Sequence, residues 1–428
     1  MTIKDIYKHF VKCNGTISTD TRNIEKNSIF FALKGTHFNG NKFAKSALEK
    51  GASFSIIDEK EYAINEQYIL VKNVLETLQQ LSTYHRKKLN IPIIALTGSN
   101  GKTTTKELIN AVLSTTYKTS ATIGNLNNHI GVPLTLLQMS KETEIGIVEM
   151  GANHLNEIEF LSNIALPDYG LITNFGKAHL EGFGSIEGVI KGKSELYNYL
   201  KTHNKTIFIN KNDITQIKQA DNYKSIVEFG ADSQNKIQIE LENSQSYVSV
   251  KYDNKIIKSN LIGAYNFNNI SVAIAIGKYF NVSTKNITSA IENYTPTNNR
   301  SQIINKGSNT IVLDAYNANP TSMIAALENF KNLEATNKSL FLGDMFELGK
   351  KAKQEHQDIV NFIESNFSES VYLIGEHFYN TKTDKTFINR FKTFEELKLH
   401  IKKAPINDKS ILIKGSRVMA LERILDLI

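Results

Sequence analysis

The sequence predicts an α/β protein in three units, on three observations. Residues 97–104 read Thr-Gly-Ser-Asn-Gly-Lys-Thr-Thr between a short apolar run and an amphipathic helical pattern. Short apolar runs alternate with helix-like stretches on both sides of that segment, the pattern of an α/β sheet. Pro92 and Pro296 punctuate the alternation and divide the chain into residues 1–88, 89–296 and 297–428.

In the first unit, 28–33 reads as a strand leading through Lys34-Gly35-Thr36 into a helix over 42–50. Gly51 closes that helix, and 53–57 is the next strand. Residues 69–90 predict a helix that stops before Pro92, because the residue before a proline is pushed out of the helical region. The middle unit has strands at 93–96, 145–149, 170–173 and 207–210. Helices between them imply right-handed crossovers and a mostly parallel sheet. Residues 236–260 break the rhythm: Ile237, Ile239 and Leu241, then Tyr247, Val248, Val250 and Tyr252, predict short antiparallel strands turning at Asn243-Ser244 and Asp253-Asn254. Residues 266–280 are helical again. Strands at 311–314, 340–342, 371–374 and 411–414 predict a second, Rossmann-like α/β sheet in the third unit, without the GxGxxG of a dinucleotide site.

The 97–104 segment predicts a phosphate-binding loop. Gly98 and Gly101 let the backbone curl until its N–H groups face phosphate oxygens. The helix N-terminus adds positive potential, Lys102 neutralises the terminal phosphates, and the Thr103 hydroxyl is placed to ligate Mg2+. Thr97, Ser99, Asn100 and Thr104 complete the loop. Leu96 stands where the longer pattern has glycine, so this is the shorter GxxGK[ST] form. A nucleoside triphosphate is the ligand to expect.

Composition excludes several classes. The 41% hydrophobic and 22% charged content is that of an ordinary soluble protein. Apolar runs are too short to span a bilayer, and the N-terminus has no signal-peptide core. The single cysteine, Cys13, excludes internal disulfides and a cysteine metal cluster. The expectation is a cytoplasmic protein. A net charge of +7 is scattered over lysines with no basic stripe, which argues against nucleic acid.

Other strand ends carry chemistry, as ligands in open α/β sheets gather there. The 145–149 strand delivers Glu149, a candidate Mg2+ ligand or helix cap. The 170–173 strand leads to His179. The loop 124–133 concentrates Asn125, Asn127 and Asn128, amides suited to sugar or peptide recognition. Asn210-Lys211-Asn212-Asp213 matches the guanine-reading NKxD of GTPases, yet no DxxG lies between Lys102 and it, so it reads as a polar turn.

Together these segments resemble the Mur ligase family of ATP-dependent amide-bond-forming enzymes. The resemblance rests on Ser18-Thr19-Asp20-Thr21-Arg22, the phosphate loop, Gly124–Pro133 and Glu149-Met150-Gly151-Ala152-Asn153-His154. It continues with Ala178-His179-Leu180-Glu181-Gly182-Phe183-Gly184-Ser185, Gly263–Asn269 and Lys414-Gly415-Ser416-Arg417. Asp314-Ala315-Tyr316-Asn317-Ala318-Asn319-Pro320 and Leu342-Gly343-Asp344-Met345-Phe346-Glu347-Leu348-Gly349 resemble the branch that adds D-alanyl-D-alanine to UDP-N-acetylmuramoyl-tripeptide.

The resemblance implies a UDP-binding N-terminal domain, an ATPase middle domain and a C-terminal domain that joins them over the substrates, working as a monomer with no nucleic-acid partner. It implies that Thr103 and Glu149 ligate a first Mg2+, and that His179 and a carbamylated Lys193 hold a second, with Lys191 close enough to confuse the assignment. By the same similarity Asn266 and Asn269 face the adenine, and Arg300 and Asp314 reach the nucleotide. Asp20, Arg22, Lys34 and Gly35 hold the UDP moiety, with an Asp20–Arg22 surface ion pair as the plain alternative. Asn317 and Arg417 meet the incoming dipeptide. The competing expectations are a sister ligase adding one amino acid, a folylpolyglutamate-type ligase, and a nucleotide-dependent binding module without catalysis.

Overall fold

A computed structural model describes residues 1–232, 236–296, 299–335 and 337–428. Four parallel strands form the first sheet, in the spatial order Ile17–Ser18, Ile29–Phe31, Phe54–Ile57, Tyr68–Leu70. The predicted 69–90 helix is shorter than expected. Its first residues belong to the strand Tyr68–Leu70, and the helix runs Val74–Leu89. Asn73 sets this start by accepting from the Glu76 N–H at 3.0 Å, a cap worth about 1 kcal/mol. Asn90 ends it in the left-handed conformation.

That helix ties the first unit to the second. His85 Nε2 lies 2.8 Å from the Met139 carbonyl. Arg86 donates to the carbonyls of Ala165 and Leu166, and to Asp168 at 2.6 Å. Lys205 supplies Asp168 with a second cation at 2.6 Å.

Seven parallel strands make the middle sheet, ordered Ile237–Gln238, Ile226–Gly230, Thr206–Asn210, Tyr169–Ile172, Ile93–Thr97, Ile145–Glu149, Thr119–Ala121. Ile93–Thr97 and Ile145–Glu149 are buried at every position, as a strand covered on both faces must be. Ile237 corrects one expectation: it joins the edge of this parallel sheet rather than an antiparallel one. The antiparallel element is Glu240–Asn243, Tyr247–Tyr252 and Lys255–Ile262. Its second turn uses Asp253 and Asn254, both at positive φ, as a tight hairpin requires.

The third sheet is ordered Gln302–Lys306, Asn309–Asp314, Ser410–Lys414, Lys338–Gly343, Ser370–Ile374, Ile388–Phe391, with only the first pair antiparallel. One apolar cluster runs from Ile172, Leu180 and Phe183 into Val312, Met323 and Leu342, so the middle and third units share buried surface. Among the described residues no helix is long and apolar enough to cross a membrane.

Candidate active site

The carboxyl ends of the middle and third sheets face a cavity of about 720 Å³. Ser99–Thr104, Asn125, Asn127, Asn128, Glu149, His179, Asn266, Asn269, Arg300, Asp314 and Asn317 all line it. Thr97 and Gly98 lie beneath the loop.

The phosphate loop is held in place from below. Gly98 (φ 145°) packs so closely on Thr173 that a Cβ would overlap its hydroxyl. A Cβ on Gly101 (φ 78°) would sit 2.6 Å from Asn269 Oδ1. Both positions therefore require glycine for φ and for space. Asn174 clamps the loop from the neighbouring strand: its carbonyl accepts from the Ser99 N–H at 3.0 Å and its Oδ1 from the Asn100 N–H at 3.1 Å. Ser99 Oγ donates to the Gly176 carbonyl at 2.9 Å. Lys102 Nζ donates to the Gly98 carbonyl at 2.7 Å and the Ser99 carbonyl at 3.3 Å. Burial lowers its ammonium pKa, opposed by the Glu149 carboxylate.

Glu149 is 1% exposed. Asn127 Nδ2 donates to its Oε1 at 2.8 Å, while Oε2 is buried with no partner. An orphaned carboxylate oxygen on a residue that lines the same cavity as Thr103 fits a Mg2+ ion, which takes few protein oxygens and completes its shell with phosphate and water. Among the described residues no three His, Cys, Asp or Glu side chains cluster to hold a metal unaided.

His179 is in the left-handed conformation (φ 52°), rare for a residue with a Cβ. Its Nδ1 pairs with Glu347 from the third unit. That bond sets the Glu347 carboxyl below its ordinary range, against burial, which raises it. Lys193, on the helix Ile186–Thr202, is fully buried and donates to the Ala152 carbonyl at 3.0 Å, behind the cavity wall. Burial, with the Lys102 ammonium next, pushes its amine far below the usual lysine range. Lys191 is exposed.

At the opening of the helix that follows Gly263, Asn269 Nδ2 donates to Asn266 Oδ1 at 2.7 Å and its Oδ1 accepts from Thr105 at 3.0 Å. Neither amide caps the helix Asn266–Tyr279; Asn266 Nδ2 donates back to the Ile262 carbonyl at 2.7 Å. Asp314 receives the buried Lys414 ammonium at 2.6 Å. Asn128 does cap a helix, accepting from the N–H groups of Ile130 and Gly131. Asp213 likewise caps the helix Ile214–Ala220, which fits the polar-turn reading of the NKxD segment.

Four expected site residues lie elsewhere. Asp20 and Arg22 form the surface ion pair at 2.6 Å, and Lys34 bridges Asp58 and Glu59, each at 2.8 Å, with Gly35 beside it. All are in the first unit, outside the large cavity. Arg417 lines a separate cavity of about 260 Å³. Sequence reasoning missed Lys414, Tyr316, Asn319 and Glu347 as individual site residues. Asn319 Nδ2 reaches the phosphate loop at Asn100 Oδ1, 2.7 Å away. These residues stood inside quoted motifs, but the partners of Lys414, Asn319 and Glu347 are 100 or more positions away in sequence, which local spacing does not reveal.

Family models describe the same three segments. The Mur ligase catalytic-domain model matches residues 15–86, the Mur ligase middle domain 96–277, and the glutamate ligase domain 299–417. The Bacillus subtilis UDP-N-acetylmuramoyl-tripeptide--D-alanyl-D-alanine ligase is 35% identical, over 95% of this chain and 92% of its own. The chain belongs to the Mur ligase family. It is thus an ATP-dependent ligase that forms a C–N bond. The crystal structure of MurF from Acinetobacter baumannii superposes with a TM-score of 0.85 at 30% identity, covering 96% of this chain and 93% of that one. A Mycobacterium tuberculosis folylpolyglutamate synthase shares the Mur ligase fold at 14% identity and a TM-score of 0.61, covering 82% of this chain and 94% of its own.

Proposed function

We infer that this Mur ligase joins D-alanyl-D-alanine to the terminal carboxylate of UDP-N-acetylmuramoyl-tripeptide, with ATP converted to ADP and phosphate. The observation that carries the reading is near-full-length similarity to relatives bearing that name, at 35% identity for the Bacillus subtilis enzyme. The functional units are taken as residues 1–88, 89–296 and 297–428, the reaction as cytoplasmic, and the working form as a monomer.

A carboxylate resists amine attack because it is anionic and its oxygen leaves poorly. The carboxylate oxygen attacks the γ-phosphorus and ADP departs, giving an acyl phosphate. The dipeptide amine then attacks the acyl carbon, and the tetrahedral intermediate loses a proton and expels phosphate. Such chemistry needs alignment and charge neutralisation more than a nucleophilic side chain.

In this assignment Ser99–Thr104 cradle the phosphates, Lys102 swings from its own loop carbonyls to the transferred group, and Thr103 and Glu149 would hold Mg2+. When bound, Mg2+ neutralises charge on the transferred phosphoryl group. Asn266, Asn269, Arg300 and Asp314 take the nucleotide, and Asn125, Asn127, Asn128 and Asn317 face the acid substrate and acceptor. Asp20, Arg22, Lys34 and Gly35 hold the UDP end.

Lys193, rather than Lys191, is the lysine suited to carbamylation. Carbon dioxide adds only to a neutral amine, and burial favours the neutral form of Lys193. The resulting carbamate and His179 would hold a second Mg2+.

Phosphate release with ATP, Mg2+ and the UDP-linked tripeptide tests the reading across acceptors. Turnover with D-alanyl-D-alanine is expected. Turnover only with a single amino acid would assign a sister ligase instead, and ATP binding without any turnover would leave a binding module.

A further inference from the structure

We propose that Glu347 is a positioning residue, supplied by the third unit to fix the ring of His179, and that the buried His356 fixes Glu347 in turn. The proposal rests on the part given to His179 above and adds what holds that residue in place. Segment 177–181 belongs to the middle unit, yet the third unit grips it at four points. The Lys177 N–H donates to Thr321 Oγ1 at 2.9 Å, and the Lys177 ammonium donates to Glu355 at 2.9 and 3.2 Å. His179 Nδ1 pairs with the Glu347 carboxylate, and the Glu181 N–H donates to the Glu347 carbonyl at 3.1 Å. Glu347 thus holds this turn by side chain and main chain together. Both His179 (φ 52°) and Glu347 (φ 61°) are left-handed without being glycine. Such backbone persists only where its surroundings over-determine it, and it gathers at working sites.

The approach to Glu347 is over-determined in that sense. After the strand Lys338–Gly343, three successive N–H groups are each held by a different element. That of Asp344 donates to the Ile374 carbonyl at 3.1 Å, that of Met345 to His356 Nε2 at 3.0 Å, and that of Phe346 to Ser416 Oγ at 3.3 Å. His356 holds the middle one and is fully buried on the helix Ala352–Asn366. A main-chain N–H only donates and a carbonyl only accepts. Its Nε2 therefore bears a lone pair, and its Nδ1 carries the hydrogen, given to the Ala352 carbonyl at 2.7 Å. This neutral ring anchors the loop two residues before Glu347. The same reasoning passes to His179. A carboxylate accepts, so His179 Nδ1 carries a hydrogen, and Nε2 is the nitrogen left for the cavity that His179 lines. A free imidazole prefers the opposite tautomer, whose hydrogen on Nε2 would block a ligand there.

The experiment reads the His179 tautomer by nitrogen-15 NMR of histidine-labelled protein, without nucleotide or metal, at about pH 9, above the ordinary imidazole range. His179→Gln identifies the signal, and turnover is measured on the same proteins. The wild type should carry its hydrogen on Nδ1. Glu347→Ala should move His179 toward the Nε2–H form and lower kcat about 10- to 100-fold, the range for losing a group that orients a ligand, with the KM for ATP unchanged. Glu347→Gln, whose amide oxygen still accepts, should bring back the tautomer and part of the rate. His356→Leu should move His179 in the same direction, although His356 bonds to Met345 rather than to either residue. His356→Gln, with an acceptor where Nε2 stood, should reverse that effect. An Nε2–H wild type, or a tautomer unmoved in Glu347→Ala, would overturn the positioning role, as would a moved tautomer at unchanged kcat. A His179 signal unmoved by His356→Leu, or not restored by His356→Gln, would overturn the relay. Wild-type turnover in His179→Gln would instead overturn the part given to His179 itself.

Discussion

Replacing Lys193 with methionine separates the stability and catalytic consequences of one buried amine. Methionine keeps most of the aliphatic stem, loses the hydrogen bond to the Ala152 carbonyl, and removes the ionisable group. The lost bond costs about 1 kcal/mol. Against it stands the cost of keeping the wild-type amine neutral. The folded-state pKa lies far below the unfolded value because of burial, with the Lys102 charge as the next cause. Between the two values the unfolded chain binds the proton and the folded chain does not. Wild-type stability in that window therefore rises with pH, by up to about 1.4 kcal/mol per unit. Lys193→Met escapes this term. In buffer free of carbon dioxide it should be more stable than wild type at pH 7 in urea denaturation, and its advantage should shrink toward pH 10. Its turnover should fall on the order of 100-fold, as for loss of a site's fixed charge. Lys191→Met, on the exposed face, should change neither. A Lys193→Met protein that is less stable by the same amount at every pH would refute the neutral buried amine. Near wild-type turnover would refute the carbamate.

The remaining expectations follow from other contacts. Gly98→Ala should abolish ATP binding measured by calorimetry, because the added methyl overlaps Thr173; retained affinity would mean that the loop does not hold phosphate in this form. Asp168→Asn leaves the mostly buried Arg86 guanidinium without its anion and should cost about 3 kcal/mol in urea denaturation, where an unchanged midpoint would contradict the account of how the first two units are joined. Glu149→Gln keeps the Asn127 contact in shape but removes the negative charge from the cavity that Thr103 lines, so the Mg2+ concentration for half-maximal turnover should rise about tenfold or more. An unchanged Mg2+ dependence would remove Glu149 from the metal site.

The parallel sheets were legible because a strand buried on both faces is a run of apolar residues, as in Ile93–Thr97 and Ile145–Glu149. Thr119–Ala121 was not foreseen: it is a three-residue edge strand of small and polar side chains with no periodicity to detect. Ile237 was misassigned because one apolar residue cannot report whether its strand adds to a parallel or an antiparallel neighbour. Within the cavity, the phosphate loop could be read from two glycines and a lysine whose roles are local. The pairs His179–Glu347 and Asn100–Asn319 could not, since each joins the middle unit to the third, nor could Asp314–Lys414, which joins neighbouring strands of one sheet from 100 positions apart. Burial distinguishes Lys193 from Lys191, which two lysines separated by a single glycine on one helix conceal from any reading of spacing.

Isotope transfer tests the central claim most directly. UDP-N-acetylmuramoyl-tripeptide labelled with oxygen-18 in its terminal carboxylate is incubated with the enzyme, ATP, Mg2+ and D-alanyl-D-alanine, and the released phosphate is examined by mass spectrometry. An acyl phosphate predicts one labelled oxygen in the phosphate for each amide bond formed. Unlabelled phosphate accompanying amide formation would contradict the account.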